Sequence, residues 1–175
     1  HTVPLRCDVA ALDRLVGPDE VVVDATDDAT SKFAVADWAT RRDRPHVIAG
    51  AVGLGGQVFA RGGAPDAPCY RCFFEAPPDA AATCARDGVL GPAVGLIAAI
   101  AAAEVQALAP GTSRLTVVAD VSVSATPRVV PFRRRADCPA HPSPARKEFA
   151  MATVRIPTPL RKLTGDHFVF VGPVR

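Results

Sequence analysis

An α/β sheet fold follows from three features of the sequence: an unbroken β-branched run at Val21, Val22 and Val23, a helix-period segment over residues 30–42, and a second strand at His46–Ala49. The first strand follows the turn-like pair Gly17-Pro18 and ends at Asp24, which is the pattern of a buried parallel strand whose end opens on a polar site. In the helix Phe33, Ala34, Ala36, Trp38 and Ala39 supply the apolar positions, and Asp28 or Thr30 supplies the N-cap. The second strand follows Pro45. A strand, helix and strand in this order predict a right-handed parallel crossover.

Gly50, Gly53, Gly55 and Gly56 come next, four glycines within seven residues. A phosphate-binding loop would need a helix directly after it. Gln57–Ala60 reads instead as a strand and Arg61-Gly62-Gly63 as a turn, so a glycine-rich bend between strands is expected. A long Ala-rich helix is predicted from about Pro92 to Leu108, stopped by Pro110-Gly111, and its low polarity predicts burial on most sides. Strands are expected at Thr116–Val118, Val121–Val123 and Arg128–Phe132. The run Arg133-Arg134-Arg135 reads as a solvated strand end. Residues 142–150, rich in Pro, charge and small side chains, read as a linker.

Composition narrows the function classes. The chain has 175 residues, 49% of them hydrophobic, and a formal net charge of +2, which suits one domain with a sizeable core and lacks the basic excess of a nucleic-acid binder. The uncharged run Val89–Ala103 is shorter than the roughly 20 residues that span a bilayer, so a buried helix rather than a membrane segment is expected. Five cysteines, an odd number, with no signal-peptide pattern at the start, point to a reducing cytoplasm.

Cys69-Tyr70-Arg71-Cys72 is answered 66 positions later by Cys138-Pro139-Ala140-His141. Two x2 pairs of soft or borderline donors suit one tetrahedral Zn2+. With all four positions filled the ion would be structural and leave no room for substrate. Ordinary buried thiols with a surface His141, or a Cys69–Cys72 disulfide, are the competing readings.

Taken together, Val23-Asp24-Ala25-Thr26-Asp27-Asp28, Gly55-Gly56-Gln57-Val58, Pro68-Cys69-Tyr70-Arg71-Cys72 and the stretch from Thr83-Cys84-Ala85-Arg86 to Gly91-Pro92 resemble the ThiF/MoeB/HesA family, in the family's order, over about residues 18–141. These are E1-like enzymes that adenylate the C-terminus of ubiquitin-like sulfur carrier proteins. The resemblance implies a doubly wound, Rossmann-like E1-type fold, a homodimer, and the use of ATP and Mg2+. It implies that Asp27 helps to bind Mg·ATP. That position is chemically sound, because a carboxylate at the C-terminal end of a parallel strand faces the crevice where such sheets bind ligands. Asp24 is either a second acidic contributor or a helix cap. The family commonly has Asn where this chain has Asp28.

The resemblance also implies that Cys84 is the cysteine that in several members joins sulfur transfer or a covalent carrier intermediate; a small residue in a mobile loop is the alternative. Arg86 and the N-terminus of the following helix would favour its thiolate. Cys69, Cys72 and Cys138 match the family's zinc cysteines, and His141 replaces the usual fourth cysteine. Cys7 reads as a core thiol.

The family's glycine loop, ribose-binding acid and triphosphate-neutralising Arg and Lys all precede the matched region. On this reading residues 1–141 are the later part of an adenylation domain, and the 175 residues alone adenylate nothing. A non-catalytic, zinc-stabilised dimerisation or carrier-docking module is the alternative function. Residues 151–165 are similar to the first strand of ThiS/MoaD-type carriers, which makes 151–175 either the start of a carrier-like β-grasp segment or a plain strand tail.

Overall fold

The computed structural model describes Pro4 and residues 8–63, 67–78, 84–109, 115–122 and 127–141. The chain divides into two units, His1–Pro142 and Ser143–Arg175, and every described element belongs to the first. The expected linker at 142–150, the carrier-like tail at 151–175 and Cys7 lie outside the described residues.

A short helix not anticipated from the sequence, α1 (Val9–Leu15), opens the fold; Asp8 caps it by accepting the Ala11 N–H at 2.8 Å. Strand β1 (Val22–Asp24) follows, then α2 (Ala29–Arg41) and β2 (His46–Val52). Asp28 is the N-cap of α2, accepting the Ser31 N–H at 2.7 Å and its hydroxyl at 2.6 Å. Neither Thr30 nor Asp24 caps this helix. β1 and β2 are parallel, with Val23 opposite Val47, as the crossover pattern predicts.

β3 (Gly55–Arg61) runs antiparallel to β2. The glycine-rich stretch is thus a tight hairpin, with Gly53 at φ +57°. Next come α3 (Tyr70–Phe74), the single turn α4 (Cys84–Asp87), α5 (Gly91–Leu108), β4 (Leu115–Ser122) and β5 (Arg128–Val129). The two strands expected at Thr116–Val118 and Val121–Val123 are one continuous strand, and the strand expected at Arg128–Phe132 stops at Val129. The sheet order is β1-β2-β3-β4-β5, and every pairing after the first is antiparallel. The α/β class holds, but the described sheet is mixed, because a two-residue hairpin can join only antiparallel neighbours.

Helices cover both faces of this sheet. Strand alternation sends Ile48 and Phe59 towards Leu12, Phe33, Trp38 and Tyr70 of α1, α2 and α3. It sends Val47, Ala49, Val58 and Ala60 towards Ile97, Ala101 and Leu108 of α5. α5 buries one face rather than most sides: Ala93, Ile97, Ala101, Glu104 and Leu108 are covered, while Val94, Ala98 and Ala102 are exposed. By length and composition α5 could cross a membrane; in the fold its i, i+4 stripe packs on the sheet.

Gly56 is the tightest point of the sheet. A Cβ there would sit 2.9 Å from the Ala51 Cα, 3.0 Å from Ile97 Cδ1, and inside the van der Waals surface of the Gly50 carbonyl oxygen. Two of these neighbours are backbone and cannot rotate away. Gly56→Ala is therefore expected to destabilise the fold by about 3 kcal/mol, the upper range for overpacking, read as a lower urea midpoint. An unchanged midpoint would refute this placement of the hairpin.

Candidate functional site

The C-terminal ends of β1 and β2 open into a cavity of about 720 Å³. That size lies within the roughly 300–1,000 Å³ of small-molecule sites. Thr26 and Asp27 line one side of it, Gly50 and Ala51 another, and α5 closes it with Val94, Ile97 and Ala98. Cys84 lines the same cavity, so the fold brings together the two site residues expected to carry chemistry there. None of the described residues that line it is basic.

Asp27 owes its position to a polar network behind the strand end. Asp24 is buried and points away from the cavity, towards α2, where Lys32 Nζ meets its Oδ1 at 3.0 Å. Lys32 also donates to the Ala49 carbonyl at 2.5 Å. Asp24 Oδ1 accepts both the backbone N–H and the hydroxyl of Thr26, each at 3.1 Å. The turn from Asp24 to Asp28 is thus pinned from below, and Asp27 stands exposed at the cavity wall. Asp24 is therefore a buried anchor, neither a cap nor a second acidic group facing ligand.

Cys84 opens the turn α4, and its thiol donates to the Ala51 carbonyl at 3.3 Å. Two features expected around it differ. α5 begins only at Gly91, so Cys84 does not stand at its N-terminus. Arg86 forms an ion pair with the adjacent Asp87 at 3.0 Å.

The four expected metal ligands converge at a second place. One donor atom from each of Cys69, Cys72, Cys138 and His141 falls within 4.8 Å of the others, and all four residues are buried. Cys69 Sγ is 3.7 Å from Cys72 Sγ and 3.5 Å from Cys138 Sγ, and Cys72 Sγ is 3.4 Å from His141 Nε2. A tetrahedral zinc ion, with Zn–S near 2.3 Å and Zn–N near 2.0 Å, sets such sulfur pairs about 3.8 Å apart and sulfur–nitrogen pairs about 3.5 Å apart. The donor set fits a structural metal ion.

A helix start builds the first knuckle: Cys69 is the extended N-cap of α3 and Cys72 lies in its first turn, so spacing i, i+3 brings the sulfurs together. In the second knuckle the His141 N–H donates to the Cys138 carbonyl at 3.3 Å. Arg135 is more than a solvated strand end. Its backbone N–H donates to Cys72 Sγ at 3.4 Å, and its guanidinium pairs with Glu75 at 2.7 Å and Asp137 at 3.2 Å.

Burial, chiefly, pushes the Cys69 thiol up to about 12, so a thiolate at this position needs a positive partner. Three thiolates and a divalent ion would leave one negative charge. The buried Arg61 offsets it: its guanidinium interacts with Cys69 and Cys72 and with Asp43, 3.5 Å away. α3 is clamped to the core by Arg71, which donates to both carboxylate oxygens of Asp37 at 2.8 and 3.0 Å and lies over Phe33. Burial, with the Asp24 carboxylate adding, holds the Tyr70 phenol well above the ordinary tyrosine range.

No sequence motif marks Lys32, Arg61, His46 or Tyr70 as a site residue in its own right. Lys32 had a visible signal, since it precedes Phe33 on the apolar side of a helix. Arg61 ends an apolar strand run, which also marks a charge carried into the interior.

The ThiF family profile matches residues 1–140. The adenylyltransferase and sulfurtransferase MOCS3 of Sus scrofa is 37% identical over 138 residues, covering 74% of this chain and 30% of that protein. MOCS3 of Bos taurus is 41% identical over 105 residues, 58% of this chain and 22% of that protein, and MOCS3 of Caenorhabditis briggsae is 37% identical over 92 residues, 51% and 23%. The matched segment therefore spans less than a third of each of these relatives. Among solved structures, E. coli MccB with succinimide superposes with a TM-score of 0.61 at 15% identity, covering 80% of this chain and 44% of that one. E. coli MccB with ATP superposes with a TM-score of 0.59 at 15% identity, over 79% of this chain and 44% of that one. These likenesses establish the same α/β E1-like fold. With the cavity, the four-ligand cluster and the profile all falling in residues 1–141, this chain belongs to the ThiF family.

Proposed function

We infer that this chain contributes to ATP-dependent adenylation of the C-terminal carboxylate of a ubiquitin-like sulfur carrier protein, feeding sulfur transfer in thiamine, molybdopterin or cysteine biosynthesis. The observation that carries this reading is the shared cavity of Asp27 and Cys84 at the ends of β1 and β2. The names of the MOCS3 relatives, adenylyltransferase and sulfurtransferase, support both halves of it.

Asp27 would hold Mg2+ through its exposed carboxylate. The bound ion would neutralise the phosphate oxygens while a carboxylate displaces pyrophosphate. The chain's own residues do the rest by position. Asp24, Lys32 and Thr26 keep the Asp27 turn from swinging, and Val94, Ile97 and Ala98 keep one wall dry. With no basic residue among the described lining, Asp27 would be this chain's main contact to phosphate charge, by holding Mg2+. Cys84 is a thiol within the same cavity, where its thiolate would displace AMP from the carrier's acyl-adenylate and form a thioester. The Cys69, Cys72, Cys138 and His141 cluster would hold Zn2+ as a structural clasp. A homodimer in a reducing cytoplasm belongs to the same reading.

Mn2+ in place of Mg2+ tests the site. With ATP, it should broaden the Thr26, Asp27 and Asp28 amide resonances of the chain, and Asp27→Asn should weaken Mn·ATP binding at least tenfold. Equal broadening in wild type and Asp27→Asn would overturn the role of Asp27. No ATP-dependent broadening, together with retained capture of a carrier, would support the non-catalytic docking module.

A further inference from the structure

We propose that Gly53 and Gly88 are positioning residues that latch residues 84–90 to the β2–β3 hairpin and so hold the Cys84 thiol at the cavity wall. The use of that thiol on an acyl-adenylate rests on the reading given above; the latch does not.

Residues 84–90 run from α4 to the start of α5, and two of them, Cys84 and Val89, line the cavity. Burial does not hold the segment there. Cys84 is half-buried, and every residue from Ala85 to Leu90 is exposed. An exposed segment without packed side chains opens readily unless its backbone is tied down.

The ties all reach the β2–β3 hairpin. At its tip the Gly53 N–H donates to the Gly88 carbonyl at 2.9 Å, and the Leu90 N–H donates to the Gly53 carbonyl at 2.8 Å. These bonds set Gly53 and Val89 side by side as a parallel bridge. Two residues before the tip, the Ala51 carbonyl accepts the Cys84 thiol at 3.3 Å. Within the segment the Gly88 N–H donates to the Cys84 carbonyl at 3.0 Å, which closes the α4 turn. Gly88 therefore joins the turn that carries the thiol to the tip of the hairpin.

Both glycines are required for their backbone and not for space. Gly53 has φ +57° and Gly88 has φ +71°. A Cβ on either would meet no atom of the described residues within 4 Å, unlike the crowded Gly56. An L side chain disfavours the left-handed conformation by roughly five- to thirtyfold in population. A thiol reacts efficiently only when held within reach of the reacting carbon. The turn α4 has no buried residue to anchor it, so the latch supplies that hold.

Gly88→Ala isolates the latch, because it leaves the hairpin untouched and adds one methyl group in open space. Gly88→Asn is its counterpart, since asparagine tolerates the left-handed region. The test measures iodoacetamide alkylation of Cys84 in the metal-loaded chain, read by peptide mass mapping, together with hydrogen exchange at the Gly53 amide. Gly88→Ala should raise both rates at least threefold over wild type, with metal content and thermal midpoint unchanged. Gly88→Asn should return both to less than half the Gly88→Ala values. A smaller increase in Gly88→Ala, or rates in Gly88→Asn that stay above that half, overturns the proposal. The expected rates in a chain whose Cys84 takes no thioester from a synthetic peptide acyl-adenylate would uphold the latch and overturn the thioester reading alone.

Discussion

Cys69→Ser is expected to lose the bound metal and lower the thermal midpoint by more than 10 °C. Cys69 is fully buried, and its sulfur is the one that faces both Cys72 and Cys138. Structural zinc binds small peptides with apparent free energies of roughly 10–16 kcal/mol near neutral pH. A whole domain is stabilised by only about 5–15 kcal/mol. Losing even 5 kcal/mol of that linkage moves the midpoint of a domain of this size by roughly 10–20 °C. The damage should spread from the knuckles into the core, because α3 carries Tyr70 and Phe74 into the aromatic cluster and Arg71 onto Asp37.

A strong chelator should reproduce the effect in wild type. Cys84→Ser, at a half-buried thiol far from the cluster in function, should leave metal content and midpoint unchanged. Calorimetry with metal analysis decides the matter: a Cys69→Ser protein that keeps both its metal and its midpoint would show that the four donors are ordinary buried side chains.

The elements that could be read from sequence are those whose pattern is long and whose ends carry their own chemistry. α2 shows a capping Asp28, thirteen residues of apolar recurrence and a stop before Pro45. β1 and β2 are β-branched or apolar runs bounded by turn residues. α1 is hard to read from sequence because seven residues give too few repeats of a 3.6 period, although Asp8 carries the same capping signal as Asp28. α3 is shorter still, and its sequence is dominated by the cysteines.

α5 shows the opposite failure. Its composition predicts burial on most sides, yet alanine costs little when exposed, so hydropathy alone cannot say which face meets the sheet. β4 reads as two strands in the sequence because Ala119-Asp120 interrupts its β-branched run, whereas ladder pairing with β3 makes it one. The metal ligands were legible because coordination chemistry constrains spacing directly. The supporting residues are not: Lys32, Arg61 and Tyr70 meet Asp24, Asp43 and Phe33, which lie 8, 18 and 37 positions away, and only the fold supplies those contacts.

His46 should make the fold acid-sensitive in a way that can be assigned to one side chain. It is the first residue of β2 and is fully buried, opposite Val22 on one side and Arg61 on the other. Its Nδ1–H donates to the Arg44 carbonyl at 2.9 Å, while Nε2 has no partner among the described residues and the ring packs on Phe59. Burial pushes its pKa down to about 4, with the positive charge of Arg61 adding and the Arg44 carbonyl opposing. In the unfolded chain the imidazole titrates near 6.5. Between pH 6.5 and 4 the unfolded state therefore binds the proton and the folded state does not, so stability falls as pH falls through that window. The span corresponds to about 3 kcal/mol, and below pH 4 the contribution levels off because both states are protonated. His46→Phe keeps a ring against Phe59 and removes the titration. Urea unfolding at several pH values should show wild type losing about 3 kcal/mol more than His46→Phe between pH 6.5 and 4, a difference that cancels titration at the metal cluster common to both. Parallel curves for the two proteins would mean that His46 already shares its proton with solvent in the folded state.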